Sequence, residues 1–159
     1  TLILAPRHPR RRDEVESVLR DRGMAWVRRT QIERRRGEPV ILLDTVGELA
    51  AAYSVARVAL VGGSWIDRGG HNPLEPAFFA KPVLMGPSYF NFVDMVEDLK
   101  RGGGIRIVPS GYLRKEMRSL LTGIEETHSL GERARRVLMK NRGALDRHME
   151  LIQGVLRSP

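Results

Sequence analysis

The stretch Gly62-Gly63-Ser64-Trp65-Ile66-Asp67-Arg68-Gly69-Gly70-His71-Asn72-Pro73-Leu74-Glu75-Pro76 decides how this chain is read. Arg57 to Val61, just before it, ends in an apolar run that predicts a strand. Asn-Pro-Leu-Glu, at its end, predicts a helix from about Pro73 to Ala80. Glycine lets a backbone approach a ligand closely, and a helix N-terminus offers unpaired N–H groups to an anion. Strand, glycine-rich loop and helix, with the Glu75 carboxylate alongside, point to a nucleotide or sugar-phosphate site. The pattern matches neither the Walker A spacing nor G-x-G-x-x-G, so neither an ATPase nor a dehydrogenase is predicted.

The same alternation continues outward. Strands are predicted at Leu2–Ala5, Met24–Val27, Pro39–Leu43, Arg57–Val61, Pro82–Met85 and Ile105–Val108. Between them come a helix over Asp13–Arg22, an arginine-rich loop over 28–38 and a short helix over Gly47–Ser54. A further helix is capped by Asn91, with Phe92, Met95, Val96 and Leu99 on one face. Two helices close the chain. The first carries Leu113, Met117, Leu120 and Leu121. The longer second carries Leu130, Ala134, Val137, Leu138, Leu145, Met149, Ile152 and Leu156 against a polar face of Arg133, Arg136, Lys140 and Arg147. Strands alternating with helices predict an α/β, Rossmann-like three-layer domain whose mostly parallel sheet is covered on both faces. Ligands of such sheets bind outside the carboxyl ends of the strands. Three segments sit at such ends: Pro6-Arg7-His8-Pro9, Asp44–Glu48 and Gly62–Glu75.

Composition narrows the chemistry. At 159 residues and 42% hydrophobic, the chain is expected to form one domain. With no cysteine there is no disulfide, thiolate zinc site or cysteine nucleophile. Four scattered histidines predict no metal site. No apolar run reaches the roughly 18 residues of a membrane-spanning helix, and no signal-peptide pattern appears. Thr1 follows no methionine and Leu2-Ile3-Leu4 is already strand-like, so the chain is expected to be the C-terminal half of a longer protein.

The net charge of +8 comes from 23 arginines and 4 lysines against 19 acids. Arg10-Arg11-Arg12 and Arg34-Arg35-Arg36 are the dense clusters. Neither is interleaved with the aromatics that a base-stacking surface needs, so they read as a solvated basic face or an attraction to anionic lipid headgroups rather than a nucleic-acid site.

Each site segment has two readings. Asn72, Pro73 and Glu75 fit the N-cap, N1 and N3 positions of a capping box, in which Glu75 bonds back to the Asn72 N–H. Alternatively, the helix N-terminus faces a phosphate and Glu75 accepts hydrogen bonds from ribose hydroxyls. Arg7 follows the first strand, where its planar guanidinium suits a phosphate or a base edge. His71 is a candidate for touching substrate. Val46-Gly47-Glu48 offers backbone groups to a base, while Glu48 also suits the first turn of a helix through the dipole. Trp65, Phe78 and Phe79 read as packing residues.

Together, Ala5-Pro6-Arg7-His8-Pro9, Asp44-Thr45-Val46-Gly47-Glu48-Leu49, and Gly62-Gly63-Ser64 through Gly70-His71-Asn72-Pro73-Leu74-Glu75-Pro76 resemble the C-terminal half of the bacterial 3-deoxy-D-manno-octulosonic acid (Kdo) transferases. Pro82-Val83-Leu84-Met85-Gly86-Pro87 and Asn91-Phe92 continue the likeness. The resemblance implies a GT-B glycosyltransferase of two Rossmann-like domains. This half would hold the donor CMP-Kdo, and an N-terminal domain would bind the lipid A precursor and carry a glutamate base. Pro6, Arg7, Val46, Gly47, Glu48, Asn72, Pro73, Leu74 and Glu75 would be the CMP contacts. The resemblance further implies no metal or other cofactor, and a place in lipopolysaccharide synthesis at the cytoplasmic face of the inner membrane, against an anionic surface. It also implies no transfer by this half alone. Val46 stands where the family pattern has methionine, which weakens a side-chain role there and leaves backbone contacts intact. The alternatives are a GT-B-like domain for another nucleotide sugar, and a basic, non-enzymatic module that binds nucleic acid or anionic membrane.

Overall fold

In the computed structural model, the backbone is described for residues 1–156 and side chains for residues 1–8 and 10–140. The chain divides into two compact units, Thr1–Ala52 and Tyr53 onward. Among the described residues, six strands lie in parallel pairings, three in each of two sheets, with orders β1-β3-β2 and β4-β5-β6.

The first unit contains β1 (Leu2–Leu4), α1 (Arg12–Asp21), β2 (Trp26–Arg28), β3 (Val40–Leu42) and the first residues of α2 (Leu49–Val55). The most apolar of its predicted strands lies in the middle. β3 pairs with both neighbours, and Val40 and Leu42 are fully buried. The α1 face carrying Leu19 covers this core. The second strand begins two residues later than the sequence predicts. The Met24 N–H is taken by the Leu19 carbonyl at 2.9 Å, closing the end of α1. Arg28 is drawn into the strand's end by Glu16, whose carboxylate takes the guanidinium at 2.6 and 2.8 Å. The predicted loop over 28–38 starts instead as a 3-10 segment, Arg29–Arg34.

Glu16 is a buried acid on α1 and also accepts the Trp26 indole N–H at 3.3 Å. The Arg28 hydrogen bonds lower its pKa, burial opposes them, and the Trp26 bond adds to the lowering. The net result lies below the ordinary carboxylate value. A depressed folded-state pKa gives stability that is present above the unfolded value and lost as pH falls through the folded one. Denaturation followed from about pH 6 to about pH 3 should therefore show a loss of stability below roughly pH 4.5. Glu16→Gln should flatten that slope. An unchanged acid profile in the variant would show that other carboxylates carry it.

The second unit contains β4 (Ala59–Val61), α3 (Leu74–Phe78), β5 (Val83–Met85), α4 (Val93–Arg101), β6 (Ile105–Ile107), α5 (Leu113–Thr122) and α6 (Ile124–Leu156). Its central strand β5 has all three residues fully buried, as a strand covered on both faces must. The two-residue side-chain period sorts them. Val83 and Met85 join Ala77 of α3, Val96 and Leu99 of α4 and Ala134 of α6, whereas Leu84 joins Leu120 of α5 and Leu130 of α6. Helices on both sides of a parallel sheet give this unit the expected three layers.

The strands of this unit are trimmed at their ends relative to the sequence reading, and two helix ends differ from it. The helix predicted to about Ala80 ends at Phe78. Asn91 does not cap α4: Phe92 holds that position, and the Asn91 amide donates to the Arg68 carbonyl at 2.9 Å. The last helix begins at Ile124, because the Thr127 hydroxyl and N–H bond back to the Gly123 carbonyl at 2.7 and 3.0 Å. The positions assigned to its faces at Leu145, Arg147, Met149, Ile152 and Leu156 lie outside the described side chains. Among the described residues, no helix is long and apolar enough to cross a membrane.

Candidate functional site

In the first unit, the parallel register Leu4↔Leu42 sends the chain after β1 and the chain after β3 out of the same edge of the sheet. Pro6 and Arg7 therefore leave beside Asp44–Glu48, at the carboxyl ends of the strands where open α/β sheets take ligands. Arg7 is exposed and makes no ion pair with a described residue. His8 is also exposed, and its carbonyl accepts the Arg11 N–H at 2.9 Å as the chain turns into α1.

Asp44 is structural. Its carboxylate accepts the Thr30 N–H at 3.0 Å and the Thr30 hydroxyl at 2.7 Å. Burial raises its pKa, but the Thr30 hydrogen bonds prevail and hold it below its ordinary value. The Thr45 hydroxyl donates to Glu48 Oε2, and Arg29 Nη2 lies 2.8 Å from Glu48 Oε1. Both carboxylate oxygens are thus engaged, while the Glu48 carbonyl accepts the Ala52 N–H and opens α2. Between these anchors, Gly47 adopts φ +87° with open space where a Cβ would stand, and Val46 is 84% exposed. The Val46–Gly47 backbone is the free part of this loop.

In the second unit, the Gly62–Glu75 segment rises from the carboxyl end of β4. Ser64 is fully buried. Its hydroxyl donates to the Val61 carbonyl at 2.7 Å and accepts the Gly86 N–H at 2.8 Å, tying together the carboxyl ends of β4 and β5. The Trp65 indole N–H reaches the Val108 carbonyl at 2.7 Å, so Trp65 is a packing residue as predicted. Phe78 and Phe79 pack edge to face, with ring centres 5.2 Å apart.

The second glycine pair is no flexible, phosphate-facing loop. Gly69 and Gly70 are buried, and the Gly70 and His71 N–H groups return to the Gly63 and Gly62 carbonyls at 3.0 Å each. Gly70 has φ +73°, and a Cβ there would stand 2.2 Å from the Met85 methyl group. Close packing, rather than an open cradle, requires glycine here. The His71 ring lies over the first pair, with Nε2 3.1 Å from where a Gly63 Cβ would stand.

Pro73, not Asn72, holds the cap position of α3, and Asn72, one residue earlier, accepts the N–H of the helix's first residue, Leu74, on its Oδ1 at 3.0 Å. The reciprocal half of the predicted capping box is missing. Glu75 is exposed and makes no hydrogen bond or ion pair with a described residue, which leaves its carboxylate free for a ligand. Pro73 is fully buried, and Leu74 packs against the core of this unit. The Glu75 charge acts on Tyr53, whose pKa is raised by burial first and by that charge second. Among the described residues, no group of three or more His, Asp or Glu side chains is placed to hold a metal ion.

The sequence reading missed Glu16, Arg29 and Thr30. The first looks like any acid on an amphipathic helix, and the others sit in a segment that reads as a solvated basic loop.

The chain is 39% identical over 158 residues to a 3-deoxy-D-manno-octulosonic acid transferase of Haemophilus influenzae, a match covering 98% of this chain and 37% of the relative. It is 34% identical over 158 residues to the Bordetella pertussis enzyme of the same name, covering 96% and 36%. The chain thus spans little more than a third of the curated relatives it matches. Among solved structures, it is similar to the crystal structure of the C-terminal CMP-Kdo binding domain of WaaA from Acinetobacter baumannii. The TM-score is 0.79 at 33% identity, covering 86% of this chain and 72% of that one. No family model matches.

Proposed function

This chain belongs to the family of C-terminal domains of the bacterial Kdo transferases, and on that premise we propose that it is the donor domain that binds CMP-Kdo. The observation that carries the reading is the likeness, over 86% of this chain, to a CMP-Kdo binding domain. The free groups at the carboxyl ends of the strands support it. In the first unit, Pro6 and the unpaired Arg7 take the anionic phosphate, and the exposed Val46–Gly47 backbone beside Glu48 reads the base. In the second, Asn72, Pro73 and Leu74 open α3 and the free Glu75 carboxylate accepts hydrogen bonds from ribose hydroxyls.

In the whole enzyme an acceptor hydroxyl of a lipid A precursor attacks the anomeric carbon of Kdo. The glycosidic bond to phosphate breaks, and CMP departs carrying the negative charge. Arg7 and backbone N–H groups at the strand ends stabilise that charge. The base that accepts the hydroxyl proton belongs to the part of the relatives that this chain does not span. We therefore expect no Kdo transfer by these 159 residues alone. A position against the anionic cytoplasmic face of the inner membrane accords with the net charge of +8.

The test is a calorimetric titration with CMP, beside UMP and a short DNA duplex. CMP should bind in preference to UMP. Arg7→Ala and Glu75→Ala should each weaken CMP by about tenfold or more, the size of a lost hydrogen bond to a charged group. Tight, salt-sensitive DNA binding with no response to CMP would overturn the reading and return the arginine clusters to the centre.

A further inference from the structure

The segment that opens the arginine-rich stretch is wired to the loop proposed to read the base. The register Arg28↔Leu42 between β2 and β3, continued two residues onward, sets Thr30 beside Asp44. There the Thr30 N–H and hydroxyl hold both oxygens of Asp44, at 3.0 and 2.7 Å. One residue earlier, Arg29 reaches Glu48 at 2.8 Å, whose other oxygen takes the Thr45 hydroxyl. Two carboxylates, four residues apart, are thus fastened at either side of Val46 and Gly47. The residues between them have their backbone open to solvent, with Gly47 at φ +87°.

We infer that Arg29 is a positioning residue for nucleotide binding: by pairing with Glu48 it fixes the 45–48 loop with the Val46–Gly47 backbone presented outward, and it cancels the Glu48 charge beside an anionic ligand. The inference rests on the donor-binding reading above. Two features separate this role from a merely structural one. The Arg29 and Glu48 side chains are 42% and 34% exposed, so their ion pair is screened by solvent and adds little to folding stability. The pair also closes a loop with no buried side chain between its anchors, since Val46 points to solvent and Gly47 has none. Its removal should therefore be felt in loop geometry and ligand affinity far more than in melting temperature. Arg28, next in sequence, provides the contrast: it serves the buried Glu16 and belongs to the fold.

The experiment compares the full chain with Arg29→Met and Arg29→Lys by backbone amide NMR, first free and then titrated with CMP, with thermal denaturation alongside. Arg29→Met should keep the melting temperature within about 2 °C, as expected for a partly exposed pair. It should shift or broaden the free-state amide resonances of Val46, Gly47 and Glu48 and weaken CMP about tenfold. Arg29→Lys, which keeps the charge, should restore most of both. Should wild type bind CMP and Arg29→Met bind it equally, the inference is overturned while the donor-binding reading stands. Should wild type not respond to CMP, that reading fails, and the free-state amides still decide the role of Arg29: unmoved Val46–Glu48 resonances overturn it and displaced ones uphold the loop clasp. If Arg29→Met does not fold, the pair is a stabilising element of the unit and the positioning role is likewise overturned.

Discussion

Gly131→Ala should destabilise the second unit by about 3 kcal/mol, at the upper end of what overpacking a well-filled interior costs. Gly131 is buried on α6, and a Cβ built there would stand 1.9 Å from the Ala80 carbonyl oxygen and 2.7 Å from its carbon. Neither atom can move alone. Ala80 lies in the turn after α3, in the left-handed region at φ +53°, where its N–H bonds to the Ala77 carbonyl and the next N–H, of Lys81, to the Pro76 carbonyl. Admitting a methyl group means separating α6 from that turn, and α3 carries Pro76 and Ala77 into the core. Helix propensity argues the opposite sign, since alanine is favoured over glycine by about 1 kcal/mol inside a helix. Urea denaturation discriminates: a midpoint lowered by about 1–2 M at unchanged slope supports the close approach, and an unchanged or raised midpoint would refute it.

Ser64→Ala should cost about 2–3 kcal/mol, because it leaves buried partners without replacements. The Ser64 side chain bridges the Val61 carbonyl at 2.7 Å and the Gly86 N–H at 2.8 Å, both at the carboxyl ends of parallel strands. The variant should also loosen the loop that Ser64 anchors. Amide hydrogen exchange should therefore speed up at Gly70 and His71, whose N–H groups close the loop onto Gly63 and Gly62. A loss below about 0.5 kcal/mol, within the range of ordinary surface substitutions, would mean that the two strand ends hold their geometry without the hydroxyl.

The strand–loop–helix order was legible because apolar runs such as Pro39–Leu43 and Pro82–Met85 admit little besides buried strands. Their turn-forming neighbours mark where each one stops. The segments at the strand ends were legible for the same reason: a parallel α/β chain places its ligand-facing loops after each strand, whatever their composition. The uses of individual side chains were not. Asn72 and Glu75 fit a capping box equally well as a pair or singly, and only the coordinates separate the bonded Asn72 from the free Glu75. The glycines of the 62–70 stretch fit a ligand cradle and a tightly packed turn alike. The Met85 methyl group against Gly70 favours the second for that residue.

By itself the sequence determined the alternation of elements, their parallel pairing and the edges at which they offer groups to a ligand. These follow from local periodicity, turn chemistry and the handedness of β-α-β connections, all properties of neighbouring residues. Only the tertiary structure decided which polar groups are spent on the fold and which remain free. Glu16, Asp44 and Glu48 are spent on Arg28, Thr30 and Arg29 from other parts of the chain, whereas Arg7 and Glu75 have no hydrogen-bond or ion-pair partner among the described side chains. A hydrogen bond or ion pair between residues 12 to 19 positions apart leaves no mark in either residue's local sequence. It exists because the fold brings their polar atoms within about 3 Å.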